Sequence, residues 1–221
     1  MFAVIFEVQP KQQRWGDYLD LAGLLRPELV QIDGFIENER FVSLRDRGRV
    51  LSLSTWRDEK SVIRWRTLAL HHDAQKKGRS GIFADYHLRV GEVVADTHIP
   101  PGQSLRQQRH DETEVGAAKL MTISELRAVA GAGSDALAAG LGLPTEDAGV
   151  LVAHEVFAGI SDPNELLLLV SWKDRAAGER WQPNRAAGGE LRHRAVRVIR
   201  DYGMRDRREA PQYHSPVATD G

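Results

Sequence analysis

The chain has 221 residues, 42% of them hydrophobic and 28% charged, with 31 acidic against 30 basic side chains and a formal charge of −1. That length holds one large domain or two of about 100 residues, and near-neutrality gives no general reason to expect a nucleic acid or other polyanion as partner. Cysteine is absent, which excludes disulfides, thiolate metal sites and a cysteine nucleophile; the longest aliphatic run, Leu166 to Val170, is far too short to span a bilayer.

The opening MFAVIFEVQPKQQRW has no basic leader before its apolar stretch, so a soluble, cytoplasmic protein is expected. Residues 2–8 form a β-branched and aromatic run that predicts a strand. Behind it Trp15, Leu19, Ala22 and Leu25 or Arg26 recur at helical spacing. FIENERFVSL and RVLSLSTW flank the turn-like RDRG and predict a hairpin ending at Trp56. Asp58 then suits the N-cap of one helix, EKSVIRWRTLALHHDAQKK, with Gly78 as its stop. IFADYHLRVGEVV returns as a strand, giving the order βαββαβ, the ferredoxin-like split unit.

The polar, Pro-Pro-containing segment after residue 96 reads as a connection, with the linker at 105–116. A second unit follows: AKLMTI as a strand, SELRAVAGAGSDALAAGL as a helix, GVLVAHEVF and ELLLLVSW as strands, DRAAGERWQPN as a helix weakened by Gly178 and Pro183, and VRVIRDYGMR as the closing strand. The basic stretch from Arg192 to Arg208 is expected at a solvated strand edge, with a phosphate-binding patch as the alternative. Residues 209–221 read as a tail.

Four of the five tryptophans stand in two copies of one Trp-x8-Trp frame, Trp56 and Trp65 against Trp172 and Trp181, at a constant offset of 116. Leu51, Leu53, Asp58 and Arg64 meet Leu167, Leu169, Asp174 and Arg180 under it, and Phe41 meets Phe157. ADYHLR meets RDYGMR, which pairs Asp85, Tyr86 and Arg89 with Asp201, Tyr202 and Arg205. Such matching predicts a duplication, with domains at 1–104 and 117–208.

The stretch TWRDEKSVIRWRTLALHHDAQKKGRSGIFADYHLRV resembles the signature half of an antibiotic-biosynthesis-monooxygenase domain: a strand-end Trp, an acidic helix start, a second Trp, a His-rich segment, then an aromatic-Asp-Tyr strand. The resemblance implies an α+β fold in which two tandem ferredoxin-like βαββαβ modules form an intramolecular dimeric α+β barrel, with exchange of halves between two chains, a homodimer, as the other arrangement. It implies a cofactor-independent monooxygenase acting on an aromatic small molecule, with neither nucleic acid nor membrane as partner. A haem-binding or haem-degrading protein, or a non-catalytic binding or structural duplicate, is the alternative. At the position of the axial histidine of haem-degrading relatives this chain carries Gln75, at that of their pocket Asn it carries Glu7, and Ser52 stands where the polyketide oxygenases carry Asn.

Within one predicted helix, Leu68, Ala69 and His72 share a stripe with Trp65, and His71 lies one step round, toward a rim. Trp65, Trp56, His71 and Leu68 are the candidate substrate-binding residues, set against plain core packing. Oxygenation without a cofactor needs a base, a donor to a developing oxyanion and a dry pocket. His72 and Glu7 are the candidate bases, Arg66 and Tyr86 the candidate donors, with Tyr86 equally suited to locking the sheet. No metal-binding spacing occurs among the eight histidines, and no metal is expected.

Overall fold

Alternation of side chains along the first strand decides which residues meet which layer. In the computed structural model, which describes residues 1–127, 134–144, 149–184 and 190–212, β1 (Phe2–Pro10) turns Ala3 and Ile5 one way and Phe2, Val4, Phe6 and Val8 the other. A 3₁₀ turn leads to α1 (Trp15–Leu29), then β2 (Phe35–Ser43), β3 (Val50–Trp56), α2 (Glu59–Thr67), α3 (Ala69–Lys77), a π turn and β4 (Phe83–Asp96). The second half runs β5 (Leu120–Arg127), α4 (Ser134–Gly140), β6 (Leu151–Gly159), β7 (Glu165–Trp172), α5 (Arg175–Arg180) and β8 (Leu191–Gly203).

The eight strands close an antiparallel barrel in the order β1-β3-β2-β6-β7-β5-β8-β4, so each half contributes its strands in the same sequence, β4-β1-β3-β2 and β8-β5-β7-β6. Two seams join the halves. One is short, Phe41 to Ser43 against Phe157 to Gly159, and the other runs from His87 opposite Gly203 to Asp96 opposite Arg194. Inward-facing Ile5, Leu51 and Leu53 interlock with Ile123, Leu167 and Leu169 as one core. Helices of each half cover the outer face of its own sheet.

The hairpins of the two halves superpose in register at the offset of 116: Phe35 faces Trp56 as Leu151 faces Trp172, with a bulge after each of the first pair, and Phe41 faces Leu51 as Phe157 faces Leu167. Asp58 and Asp174 cap the following helices, accepting from the Ser61 and Ala177 amides at 2.8 and 3.0 Å. The offset does not extend to the last strands. β1 pairs Val8 with Tyr86, whereas β5 pairs Leu126 with Leu191. Tyr202 instead lies beside Leu88, and Asp201 beside Arg89, across the seam. The two Asp-Tyr motifs are therefore neighbours at one end of the barrel, because the helical part of the second half is shorter.

Other expectations are corrected as well. The single helix from Glu59 breaks at Leu68, whose ψ of 127° is extended; the Thr67 hydroxyl donates to the Ile63 carbonyl at 2.8 Å, a local bond that competes with helical continuation. Gly78 is no left-handed stop, since its φ is −54°. It is needed because a Cβ there would lie 2.4 Å from the Phe83 ring. Gly178 likewise admits Leu120 and Trp172, each 2.6 Å from where its Cβ would stand. Ser124 to Arg127 extend β5 instead of opening a helix, held by pairing to both β7 and β8; residues 128–133 of that expected helix lie outside the described residues, as does most of the 209–221 tail. Finally, β8 is no edge. It lies between β5 and β4, and its Arg194 and Arg197 are buried, the first against Glu37 and Glu125 and the second 2.5 Å from Glu92. Among the described residues, no helix is long and apolar enough to cross a membrane.

Trp56 and Trp172 are both sealed in the core, their indole N–H groups donating to Ser54 Oγ and Thr122 Oγ1 at 2.9 and 2.8 Å. Trp56→Ala and Trp172→Ala are each expected to lower the unfolding free energy by about 3–5 kcal/mol, read as shifted urea midpoints. His193, buried between Ser124 and Trp181, has its pKa pushed down to about 4 by burial. The unfolded chain takes up that proton below its ordinary value near 6.5 while the folded one does not. Stability held above pH 6.5 is thus expected to fall between about pH 6.5 and 4, and His193→Gln to flatten that fall in urea midpoints taken at pH 7.5 and 5.

Candidate active site

Between the outer face of the first-half sheet and its three helices lies a cavity of about 800 Å³, large enough for a drug-sized molecule. Its floor is built from outward-facing Val4 and Phe6 of β1, Asn38 and Arg40 of β2, Ser52 and Ser54 of β3, and Tyr86 and Leu88 of β4. Tyr18 and Leu25 of α1 and Val62 and Trp65 of α2 roof it, with His71, His72 and Gln75 of α3. Arg200, Tyr202, Arg207 and Gln212 complete the wall from the second half and the segment behind β8.

The floor explains why the space exists. Ser52 and Ser54 occupy the register positions of Leu168 and Val170 in the second half, and Arg40 that of Val156. There the three aliphatic side chains are buried in one cluster with Leu137 and Ala138 of α4 and with Leu141 just behind it. Two hydroxymethyl groups in place of two branched aliphatic chains leave room below the first-half helices.

The break at Leu68 shapes the wall. With the helix interrupted, His71 folds back so that its Nδ1–H donates to the Trp65 carbonyl at 2.9 Å, and its ring stacks on the indole at 4.0 Å and 16°. Burial pushes His71 down to about 4, so it is uncharged at neutral pH. Both histidines line the cavity, which corrects the placement of His71 at a rim: the stripe argument needed an unbroken helix. Leu68, the break itself, is not among the lining residues, and neither is Trp56, which packs edge-on to Phe35 at 5.4 Å.

Glu7 is also elsewhere. It projects from the opposite face of β1 into one end of the barrel, where Arg89 donates to it at 2.6 Å and Arg49 stands 3.9 Å away. Arg89 further donates to His87 Nδ1 at 2.8 Å, and His87 Nε2 donates to Asp201, so this end of the barrel is a chain of paired charges. The structure thus brings Trp65, Arg66, His71, His72 and Tyr86 to one cavity and leaves out Trp56, Leu68 and Glu7.

Sequence reasoning missed Tyr18, Asn38, Arg40, Ser54 and Arg207. Asn38 donates to Ser52 Oγ at 3.1 Å and to the Leu53 carbonyl at 3.0 Å, which fixes its amide on the floor. Arg207 donates to the Tyr86 hydroxyl and lies 5.9 Å over the Tyr202 ring. Burial, with Tyr86 alongside, pushes Tyr202 up to about 12. Seven arginines line the cavity against one carboxylate, Glu59, and that carboxylate is bound by Arg109 at 2.7 and 3.0 Å. A comparison of floor positions across the 116 offset would have exposed Arg40, Ser52 and Ser54 as departures from an apolar pattern. Among the described residues no group of three or more His, Asp or Glu side chains is placed to hold a metal ion.

The family description "Antibiotic biosynthesis monooxygenase" matches residues 1–77. A relative from Pyricularia oryzae named jasmonate monooxygenase ABM is 44% identical over 222 residues, covering 99% of this chain and 100% of that one. Among solved structures, an aldoxime dehydratase is 14% identical over 90% of this chain and 81% of its own, with a TM-score of 0.52, a likeness of fold alone. An anthrone oxidase-like protein is 14% identical over 96% of each chain, with a TM-score of 0.39. Identity at this level from end to end, on an α+β barrel with a ligand-sized cavity behind one sheet, means that the chain belongs to the antibiotic biosynthesis monooxygenase family.

Proposed function

We propose that the chain is a monooxygenase that oxygenates a small, largely apolar carboxylic acid of the jasmonate class in its first-half cavity. The observation that carries this reading is the end-to-end identity with jasmonate monooxygenase ABM, and a cavity of about 800 Å³ with an apolar roof and an arginine-rich lining supports it. The two halves are read as a duplicated βαββαβ unit, domains 1–104 and 117–208 joined by 105–116, with the second half as support.

In this reading Trp65 and His71 form the flat wall against which the substrate lies, His72 handles the proton, and Arg66 and Tyr86 donate to oxygen as negative charge develops on it. One atom of dioxygen enters the substrate and the other leaves as water. The two electrons this takes come from an added reductant for an aliphatic acid, and from the substrate itself for an electron-rich phenol. No resident metal or flavin is assigned. Haem is not assigned either: Gln75 stands where an axial ligand would be needed, and both ring nitrogens of the adjacent His71 are engaged, one by the Trp65 carbonyl and the other with the Gln75 amide at 3.4 Å.

One observation favours a second reading, an aromatic polycyclic substrate: the stacked Trp65–His71 pair offers a planar face inside the cavity. The two readings separate in a single assay. Incubation with jasmonic acid, a chemical reductant and ¹⁸O₂ is expected to give a product heavier by one ¹⁸O atom in mass spectrometry; oxygen uptake with reduced polycyclic phenols and none with jasmonic acid would move the assignment to the aromatic class. Haemin is expected to give no saturable Soret shift. Ser52→Leu, which places the second-half residue on the floor, is expected to cut turnover at least about tenfold while the thermal midpoint holds or rises, since it fills a cavity in a folded layer.

A further inference from the structure

Arg40 is a half-buried cation on the cavity floor without an answering charge. Its Nε is buried with no hydrogen-bond partner, and the cavity's one lining carboxylate, Glu59, is bound by Arg109. Tyr18, itself buried, places its hydroxyl beside the guanidinium from α1. A buried guanidinium N–H left without an acceptor is costly, and an anion reaching it from the cavity would supply one. Neighbouring positions offer none: Ser52 lies directly across the ladder, and the Asn38 amide is held by Ser52 and Leu53. Three of the six other cavity arginines are engaged elsewhere. Arg207 is committed to Tyr86, Arg208 to Asp206, and Arg66 reaches the Gln212 carbonyl at 3.3 Å.

We infer that Arg40 is the anchor for the anionic group of the ligand, holding a carboxylate against β2 while the apolar body lies between α1, α2 and the Trp65–His71 wall. The inference rests on the cavity assigned above and adds the orientation of the substrate in it. It explains why the floor gives up an aliphatic residue, Val156 in the other half, for a long cation. Tyr18 is a positioning residue, since it fixes the guanidinium without reaching the ligand through a charge. An anion so bound is held at one end, which presents the opposite, apolar end to the α3 histidines.

The test uses the full chain at pH 7.5, where a carboxylic acid is ionised, with decanoate and decanol as probes and tryptophan fluorescence as readout. Wild type is expected to bind decanoate at least about tenfold more tightly than decanol, a ratio that reports a charge-assisted bond. Arg40→Met is expected to bring the ratio to about one with decanol affinity unchanged. Arg40→Lys, which keeps the charge and loses the planar fork, reduces it several-fold and carries the test if the methionine variant does not fold. Arg79→Met, removing another lining arginine, leaves the ratio intact. Equal binding of acid and alcohol by wild type, a preference that survives Arg40→Met, or a preference lost in Arg79→Met would each overturn the anchor. Absent turnover of the proposed substrate with a preserved acid preference removes that substrate and leaves the anchor, and the converse pair of results does the opposite.

Discussion

Everything in this fold follows from the fact that each strand has one face inside a closed barrel and one face outside it. Closure through the two seams makes the inner faces of both sheets a single core, in which residues such as Ile5, Leu53, Ile123 and Leu169 must pack against partners from the other half. The outer faces carry no such mutual constraint. Each meets only its own helices, so one half can fill that space and the other leave it open without disturbing the barrel. A shift of one residue moves a side chain between these two environments, which is why Glu7, one position from Phe6, belongs to a buried ion pair and not to the cavity.

The two outer layers show what the freedom permits. Val156, Leu168 and Val170 present an aliphatic surface on which α4 packs directly. Arg40, Ser52 and Ser54, at the same register positions, present short polar groups and one long cation, and the first-half helices stand over a void. An aliphatic floor earns its burial energy by excluding water, at roughly 25 cal/mol per Å². A polar floor forgoes that contribution, so the first half is the less tightly packed layer and the one with room for a ligand.

The hairpins and their offset were legible in the sequence because alternation, strand-end tryptophans and the Asp caps are local signals present in both halves. The last strands misled for a physical reason: the letters Asp-Tyr recur, but ladder pairing fixes register, and the second half reaches its last strand after a shorter helical segment. Helix α2 gave no warning of its break, since Thr67 and Leu68 are acceptable helical residues and the competing hydroxyl bond is visible only in three dimensions. That break places His71 on Trp65, so an error of one backbone angle misplaced a whole imidazole. On β2, charged residues at Glu37, Glu39 and Arg40 erase the period-two pattern, and its cavity face could not be told from its barrel face.

The cavity belongs to the first half only in part. Arg200 and Tyr202 come from β8 and Arg207 from the segment beyond it, and they enter because the long seam lays the end of β8 alongside the start of β4. Through this seam Tyr86 of one half receives a hydrogen bond from Arg207 behind the other. Residues 1–77, which by themselves match the family, supply most of the roof and floor but neither this wall nor the partners of the barrel core. A fragment ending at the linker would expose Ile5, Leu51 and Leu53 to water and open the Tyr86 side of the cavity at the same time. The second half therefore acts in the first-half cavity: it buries the inner face that the first half cannot bury alone, and its last strand closes one wall of that space.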